Sequence, residues 1–242
     1  MERQNRLLAA GTNDSGPYVW AGFDAMRVST YKHNHEPDKA SQPMGRKASG
    51  FVAGSGAGAL VLESLESALE RGAYIYAEIL GGDINTGGQK GDGSMTLSNS
   101  VGVQRCIKEA IKDAGITADD IDLINGHLTS TGKCNLEIKN WSEALNRKSK
   151  DFPYIAALKS MIGHTFGAAG AIESIAAVLQ LEEGFLIKNL NCDDIDPVIS
   201  DLVDEEKITK VYTKKDLNII AKSSFGFGDV NACITYKKYT EN

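Results

Sequence analysis

Apolar and polar positions along the 242-residue chain repeat with two periods, and the switches between them predict the elements. Leu7–Gly11 is a short apolar run that predicts a buried strand almost at the first residue. Residues 12–50 are polar and irregular, broken by Pro17, Pro37 and Pro43, and predict loops and short helices over a surface. From Phe51 to Leu62 the chain turns from glycine-rich to apolar, with a strand expected over Ala59–Glu63. Gly54, Gly56 and Gly58 are not followed by a nucleotide-loop signature, so close backbone packing is the better explanation for them. Ser64–Gly72 fits a short helix stopped by glycine and Ile75–Ile84 a strand, followed by a loop over 86–98 that carries Gly87, Gly88, Gly91 and Gly93.

In the remainder, Val101, Val103, Cys106, Ile107, Ala110, Ile111 and Ala114 recur at helical spacing up to Gly115. Thr117–Asp120 resembles a capping box. Ile121–Ile124 predicts a strand, Ile138–Leu145 a helix, Tyr154–Leu158 a strand and Ile172–Leu181 a long apolar helix. Asn189–Asp216 is acidic and reads as irregular surface. Ile219–Ser224 and Ala232–Tyr236 predict two strands joined by the glycine-rich turn Phe225–Asn231. Alternating strands and helices imply a layered α/β architecture, and no repeat of 20–50 residues is visible.

Candidate chemistry gathers where predicted strands end. The strand before Lys159 runs into a glycine-assisted loop with His164, then a helix that opens with Gly167, Ala168, Ala169 and Gly170. Small residues there favour close approach to another backbone at a cost in helix propensity. His127 likewise lies just past the strand Ile121–Ile124. The carboxyl ends of strands are where α/β proteins place chemistry. Two imidazole N–H donors aimed at one carbonyl oxygen suit stabilisation of an oxyanion or enolate, and Lys159 nearby would set charge balance and orient them.

Composition narrows the alternatives. A hydrophobic content of 42% with 24% charged residues is that of a globular domain. The net charge of −6 argues against nucleic-acid binding. No run of 18 apolar residues predicts a membrane span, and the first six residues lack the apolar core of a signal peptide. Cys106, Cys134, Cys192 and Cys233 form no metal-type spacing and read as reduced thiols of a cytoplasmic protein, while His33 and His35 read as a solvated loop, so no metal site is expected.

The motifs Asn125-Gly-His127-Leu-Thr129-Ser-Thr131, Lys159-Ser-Met-Ile-Gly-His164 with Gly167-Ala-Ala-Gly-Ala-Ile-Glu173, and Ser224-Phe225-Gly-Phe227-Gly228 resemble the C-terminal motifs of β-ketoacyl-acyl carrier protein synthases of the KAS I/II type. Gly50–Gly58 and Gly72–Glu78 fit in the same order, and the resemblance covers nearly the whole chain. It implies a thiolase-like layered α/β/α fold, with residues 1–72 forming the end of the N-terminal half and 73–242 the C-terminal half that carries both histidines. Leu128 stands where the family usually has glycine, and Asn135 where it has aspartate.

By the same resemblance, His127 and His164 would donate to a thioester carbonyl during malonyl decarboxylation, with Lys159 and Glu173 holding the arrangement. Thr129 and Thr131 would bind a phosphopantetheine arm. Phe225 and Phe227 would flank the acyl pocket, with Phe23 at its entrance, and Arg27 would contact the carrier protein or a phosphate. Plain core packing is an equal reading for the phenylalanines, and a solvated charge the stronger one for Arg27. No cofactor is implied beyond the phosphopantetheine that arrives on an acyl carrier protein. None of the four cysteines fits the acyl-accepting nucleophile, so the implied partners are acyl carrier protein and a homodimeric or heterodimeric mate supplying the cysteine half. An uncovered sheet edge and apolar face are expected where that half would pack. The alternatives are a non-catalytic, chain-length-factor-like subunit or an inactive remnant.

Overall fold

In the computed structural model, residues 5–14 and 16–241 are described; Met1–Gln4, which begin the segment read as lacking a signal peptide, lie outside them. The strands are β1 Arg6–Asn13, β2 Gly56–Glu63, β3 Ala77–Thr86, β4 Leu123–Asn125, β5 Tyr154–Ala156, β6 Phe185–Leu186, β7 Thr213–Lys214, β8 Ile219–Gly226 and β9 Val230–Lys238. The helices are α1 Pro17–Ala25, α2 Leu65–Glu70, α3 Ser100–Asp113, α4 Cys134–Leu145, α5 Lys159–Ile162, α6 Ala169–Glu183 and α7 Pro197–Leu202. Short 3₁₀ turns occupy Pro37–Lys39, Ala118–Asp120, Phe166–Ala168 and Glu205–Lys207.

A five-stranded mixed sheet in the order β3-β9-β8-β4-β5 forms the centre. β4 runs parallel to β5 and β8, while β9 is antiparallel to β3 and β8. Both faces are covered, which follows from the two-residue side-chain period: Ile124, Ile155 and Ala221 join the core under α3 and α4, whereas their neighbours Leu123, Ala156 and Ile220 join a second core with Ala177 and Leu181 of α6. α3 begins on an Asn99 cap whose side chain accepts from Gly102 N, and it buries Val103, Cys106, Ile107 and Ala110 on one face. The capping box at Thr117–Asp120 is present.

β1 and β2 pair antiparallel as a separate ribbon, and α6 lies between this ribbon and the central sheet. The expectation of close packing at the small residues is met here. A Cβ on Gly11 would lie 2.6 Å from Gly167 O, and one on Gly58 would lie 3.1 Å from Ala171 Cβ, so the ribbon reaches the start of α6 only without side chains.

Three expectations are corrected. The strand around Leu7 forms, but it is not buried: Leu7 is 55% and Leu8 67% exposed, and Val61 beside them is exposed as well. Leu7, Leu8 and Val61 stay open to solvent although α6 packs on the ribbon, which agrees with the uncovered apolar face expected from the sequence. Tyr154–Leu158 is a strand only to Ala156, and Lys159 starts the short helix α5, because Leu158 already takes a helical backbone (φ −56°, ψ −30°) that turns the chain out of the β4 ladder. Residues 189–216 are not merely surface: Cys192, Ile195, Ile199, Val203 and Ile208 enter the core beneath α4. Acidic residues between these apolar positions masked their spacing.

Candidate active site

β4 delivers His127 and the α5–α6 connection delivers His164, with ring centroids 5.2 Å apart and ring planes at 84°. Residues 50–54 stitch the two loops together. Gly50 N donates to Ser130 O at 3.0 Å, His164 N donates to Val52 O at 2.7 Å, and Gly54 N donates to His164 O at 2.8 Å. Gly163 is required in this joint, since its φ is +70° and a Cβ would stand 2.6 Å from Val52 O.

The imidazole tautomers follow from their partners. Lys159 Nζ, which can only donate, lies 3.5 Å from His127 Nδ1, and Phe166 N donates to His164 Nδ1 at 3.2 Å. With both Nδ1 atoms accepting, each neutral ring carries its proton on Nε2. Burial, followed by the charge of Lys159, holds His127 well below the ordinary histidine pKa. The same causes, burial first, bring His164 down to about 3. The pair is neutral at physiological pH.

That neutrality has a measurable consequence. An unfolded histidine titrates near pH 6.5, whereas these two refuse the proton while folded. Their contribution to stability is therefore complete above about pH 6.5 and is lost as pH falls toward the folded values, at roughly 1.4 kcal/mol per pH unit per histidine. Urea unfolding between pH 7.5 and 4.5 is expected to show the parent losing stability faster than His164→Ala. Equal slopes would contradict the shift assigned to His164.

A cavity of about 830 Å³ opens in front of the histidines. Its walls include Phe23, Arg27, His127, Thr129, Thr131, His164, Phe225 and Phe227, all anticipated from the sequence. Thr129 and Thr131 bring their hydroxyls within 3.1 Å of each other. Phe23 is the centre of an aromatic group, stacked on Phe166 at 4.4 Å and edge-on to Phe51 and Phe227 at 5.3 and 6.0 Å. Lys159 and Glu173 do not line the cavity. They form a buried ion pair, 2% and 1% exposed, behind the histidines.

Several members of the site were not foreseen. Glu137, on the inward face of α4, accepts from His127 N at 2.7 Å, Leu128 N at 2.8 Å and Ser223 Oγ at 3.1 Å. Burial raises its pKa, and the backbone donors oppose that shift. These bonds hold the loop where Leu128 takes φ +20°, an uncommon conformation for a side-chain-bearing residue. The signal in the sequence was a glutamate in step with the buried Ile138 and Trp141. Asp229 bears a second anchoring carboxylate, which accepts from Gln89 N at 2.9 Å and Asn99 N at 2.8 Å and ties the Phe225–Phe227 turn to the glycine-rich loop.

All four cysteines are buried and free. Cys134 lies on the cavity wall, and burial, then the charge of Glu137, pushes its thiol up to about 12, so it is held as the unreactive thiol. Among the described residues no group of three or more His, Cys, Asp or Glu is placed to hold a metal ion, and no helix is long and apolar enough to cross a membrane.

A layered α/β fold sets two neutral imidazoles, backed by a buried lysine–glutamate pair, at an aromatic-lined cavity, and the comparisons place this fold among thiolase-like ketosynthases. A beta-ketoacyl synthase N-terminal domain model matches residues 2–68 and a beta-ketoacyl synthase C-terminal domain model matches residues 76–193. The chain belongs to the β-ketoacyl synthase family. It is 39% identical over 223 residues to 3-oxoacyl-[acyl-carrier-protein] synthase 2 of Rhizobium meliloti, covering 91% of this chain and 51% of that protein. A beta-ketoacyl synthase from Burkholderia phymatum superposes with a TM-score of 0.90 at 29% identity, covering 98% of this chain and 56% of the other. A ketosynthase solved in complex with its type II polyketide acyl carrier protein superposes with a TM-score of 0.89 at 30% identity, covering 98% and 57%. The chain spans about half the length of the curated relatives it matches.

Proposed function

We propose that this chain supplies the histidine half of a 3-oxoacyl-acyl carrier protein synthase, which joins acyl and malonyl thioesters by decarboxylative Claisen condensation in fatty-acid or polyketide-type synthesis. The observation that carries this reading is the histidine pair, in which both Nδ1 atoms accept and both Nε2–H groups are left to donate within one cavity. When the malonyl C–C bond to its carboxylate breaks, carbon dioxide leaves and the electron pair passes into an enolate. Nε2–H donors of His127 and His164 stabilise the charge that develops on the thioester oxygen. The enolate carbon then attacks an acyl thioester carried on a cysteine, whose thiolate is released.

Around this centre, Thr129 and Thr131 hydrogen-bond the phosphopantetheine arm. Phe225 and Phe227 bound the acyl pocket, Phe23 stands at its entrance, and Arg27 meets the carrier protein or its phosphate. Lys159 and Glu173 orient the donors. The reaction needs no cofactor beyond the carrier's own arm. In this reading the nucleophilic cysteine comes from polypeptide outside these 242 residues, in a homodimeric or heterodimeric assembly, and the protein works in the cytoplasm. A chain-length-factor-like subunit or an inactive remnant is the second reading, and retention of His127, His164 and Lys159 favours the first.

Assay of the purified chain with acyl- and malonyl-acyl carrier protein tests both. No condensation is expected from the chain or from Cys134→Ala, and activity is expected once a cysteine-bearing half is added. Condensation by the chain alone that Cys134→Ala abolishes would place the nucleophile at Cys134. A chain-length-factor-like subunit would leave condensation by the assembly intact after its own histidines are replaced.

A further inference from the structure

A second lysine stands behind the histidines. Lys222, in the middle of β8 and 3% exposed, places Nζ 2.9 Å from Glu173 Oε2, while Glu173 Oε1 takes Lys159. The contact of Lys222 with Glu173 is an ion contact; its N–H bonds run to Ser223 O at 2.8 Å and to Ser224 Oγ. One buried carboxylate is therefore shared by two ammonium groups. The Lys159–Glu173 pair is already neutral without Lys222, and burying a further cation is costly unless its charge has a use. Lys222 is not on the wall of the cavity in front of the histidines, so it acts through its neighbours.

The charged and titratable groups around it are Glu173 from α6, Lys159 from α5, Glu137 from α4 and Cys233 from β9. Burial lowers the Lys222 pKa and the charge of Glu173 opposes that shift; with Lys222 protonated, two lysines face two glutamates in the cluster, and Lys159 lies 3.5 Å from His127 Nδ1. We propose that Lys222 is a positioning residue for the histidine pair. It holds the second oxygen of Glu173, leaves Lys159 free to donate to His127 Nδ1, and sets a charge against protonation of either ring, so that both remain Nε2–H donors. The reading of the pair as donors comes from the function proposed above; the link from Lys222 to their protonation does not depend on it. Burial and Lys159 act on both rings, and the charge of Lys222 acts in the same direction.

Histidine ring titrations by NMR on the isotopically labelled 242-residue chain test the link, with His33 and His35 as internal standards. In Lys222→Met, similar in length and uncharged, His127 and His164 are expected to titrate at least half a pH unit higher than in the parent, while His33 and His35 do not move. Lys222→Arg is expected to keep the parent values. A folded Lys222→Met chain with all four titrations unchanged would overturn the proposal. So would an equal shift in Lys222→Arg. Should Lys222→Met not fold, Lys222→Gln takes its place; if neither gives a chain with the parent's backbone spectrum, Lys222 serves the fold alone and the proposal falls.

In the assembled enzyme, loss of Lys222 is expected to move the acid limb of malonyl decarboxylation to higher pH and keep the alkaline plateau, whereas a uniform loss at every pH marks a merely structural role. Shifted titrations combined with decarboxylation indifferent to His127→Ala would retain Lys222's coupling and remove the donor-pair reading. Unshifted titrations with decarboxylation abolished by His127→Ala would do the reverse.

Discussion

Replacing His127 or His164 with alanine, in the enzyme completed by a cysteine-bearing half, is expected to lower malonyl decarboxylation by about 100- to 1,000-fold, the usual loss when one oxyanion donor is removed. The two substitutions together should cost little more than the worse single one, because donors that share one oxygen act as a unit. Acyl transfer to the cysteine should fall less, which separates loss of the donor from loss of the fold. Single-turnover measurement of carbon dioxide release from malonyl thioester, beside acylation of the cysteine, reads the two steps separately. Decarboxylation at the parent rate in both variants would withdraw the donor assignment and leave the family membership standing.

The second large effect is on stability. Lys159→Met removes one partner of an ion pair whose members are 2% and 1% exposed. Breaking a buried pair typically costs 3–5 kcal/mol, because the remaining charge keeps its desolvation penalty and loses its compensation. Glu173 retains Lys222, which places the expected loss toward the lower end, about 3 kcal/mol. The same substitution takes the donor away from His127 Nδ1 and frees that ring to adopt the other tautomer. Chemical denaturation should thus show the loss of stability, and a ring ¹⁵N spectrum of His127 should show the tautomer change. A stable variant with an unaltered His127 spectrum would contradict both consequences of the geometry.

Most of the elements were readable because their burial follows a simple period. α3 repeats its apolar residues at helical spacing, and β8 and β9 bracket a turn marked by Phe225, Gly226, Phe227 and Gly228. Both histidines were readable from their place just beyond strand ends, and the family from the residues around them. Leu7 and Leu8 misled, because an apolar run states that burial is favourable but cannot name what covers it; β1 packs chiefly on the ribbon partner β2, the Phe166–Ala168 turn and α6, and both leucines stay exposed. Lys159 misled because Leu158 already turns helical, so an apolar run that reads as strand is cut short by a backbone change its residue types do not announce.

Sequence alone determined the layered α/β class and the place of both histidines just past strand ends, since each is written in local spacing, while the family resemblance implied that Lys159 and Glu173 act together. Tertiary structure decided which ring nitrogen carries the proton, that Glu137 grips the His127 loop and that Lys222 shares Glu173. Phe51 and Phe166 joined the aromatic wall in the same way. Those contacts run between α4 and the loop after β4, between β8 and α6, and between residues 51 and 166. A charge or ring at such a distance along the chain acquires its meaning from burial beside one particular partner, and the fold alone supplies that partner.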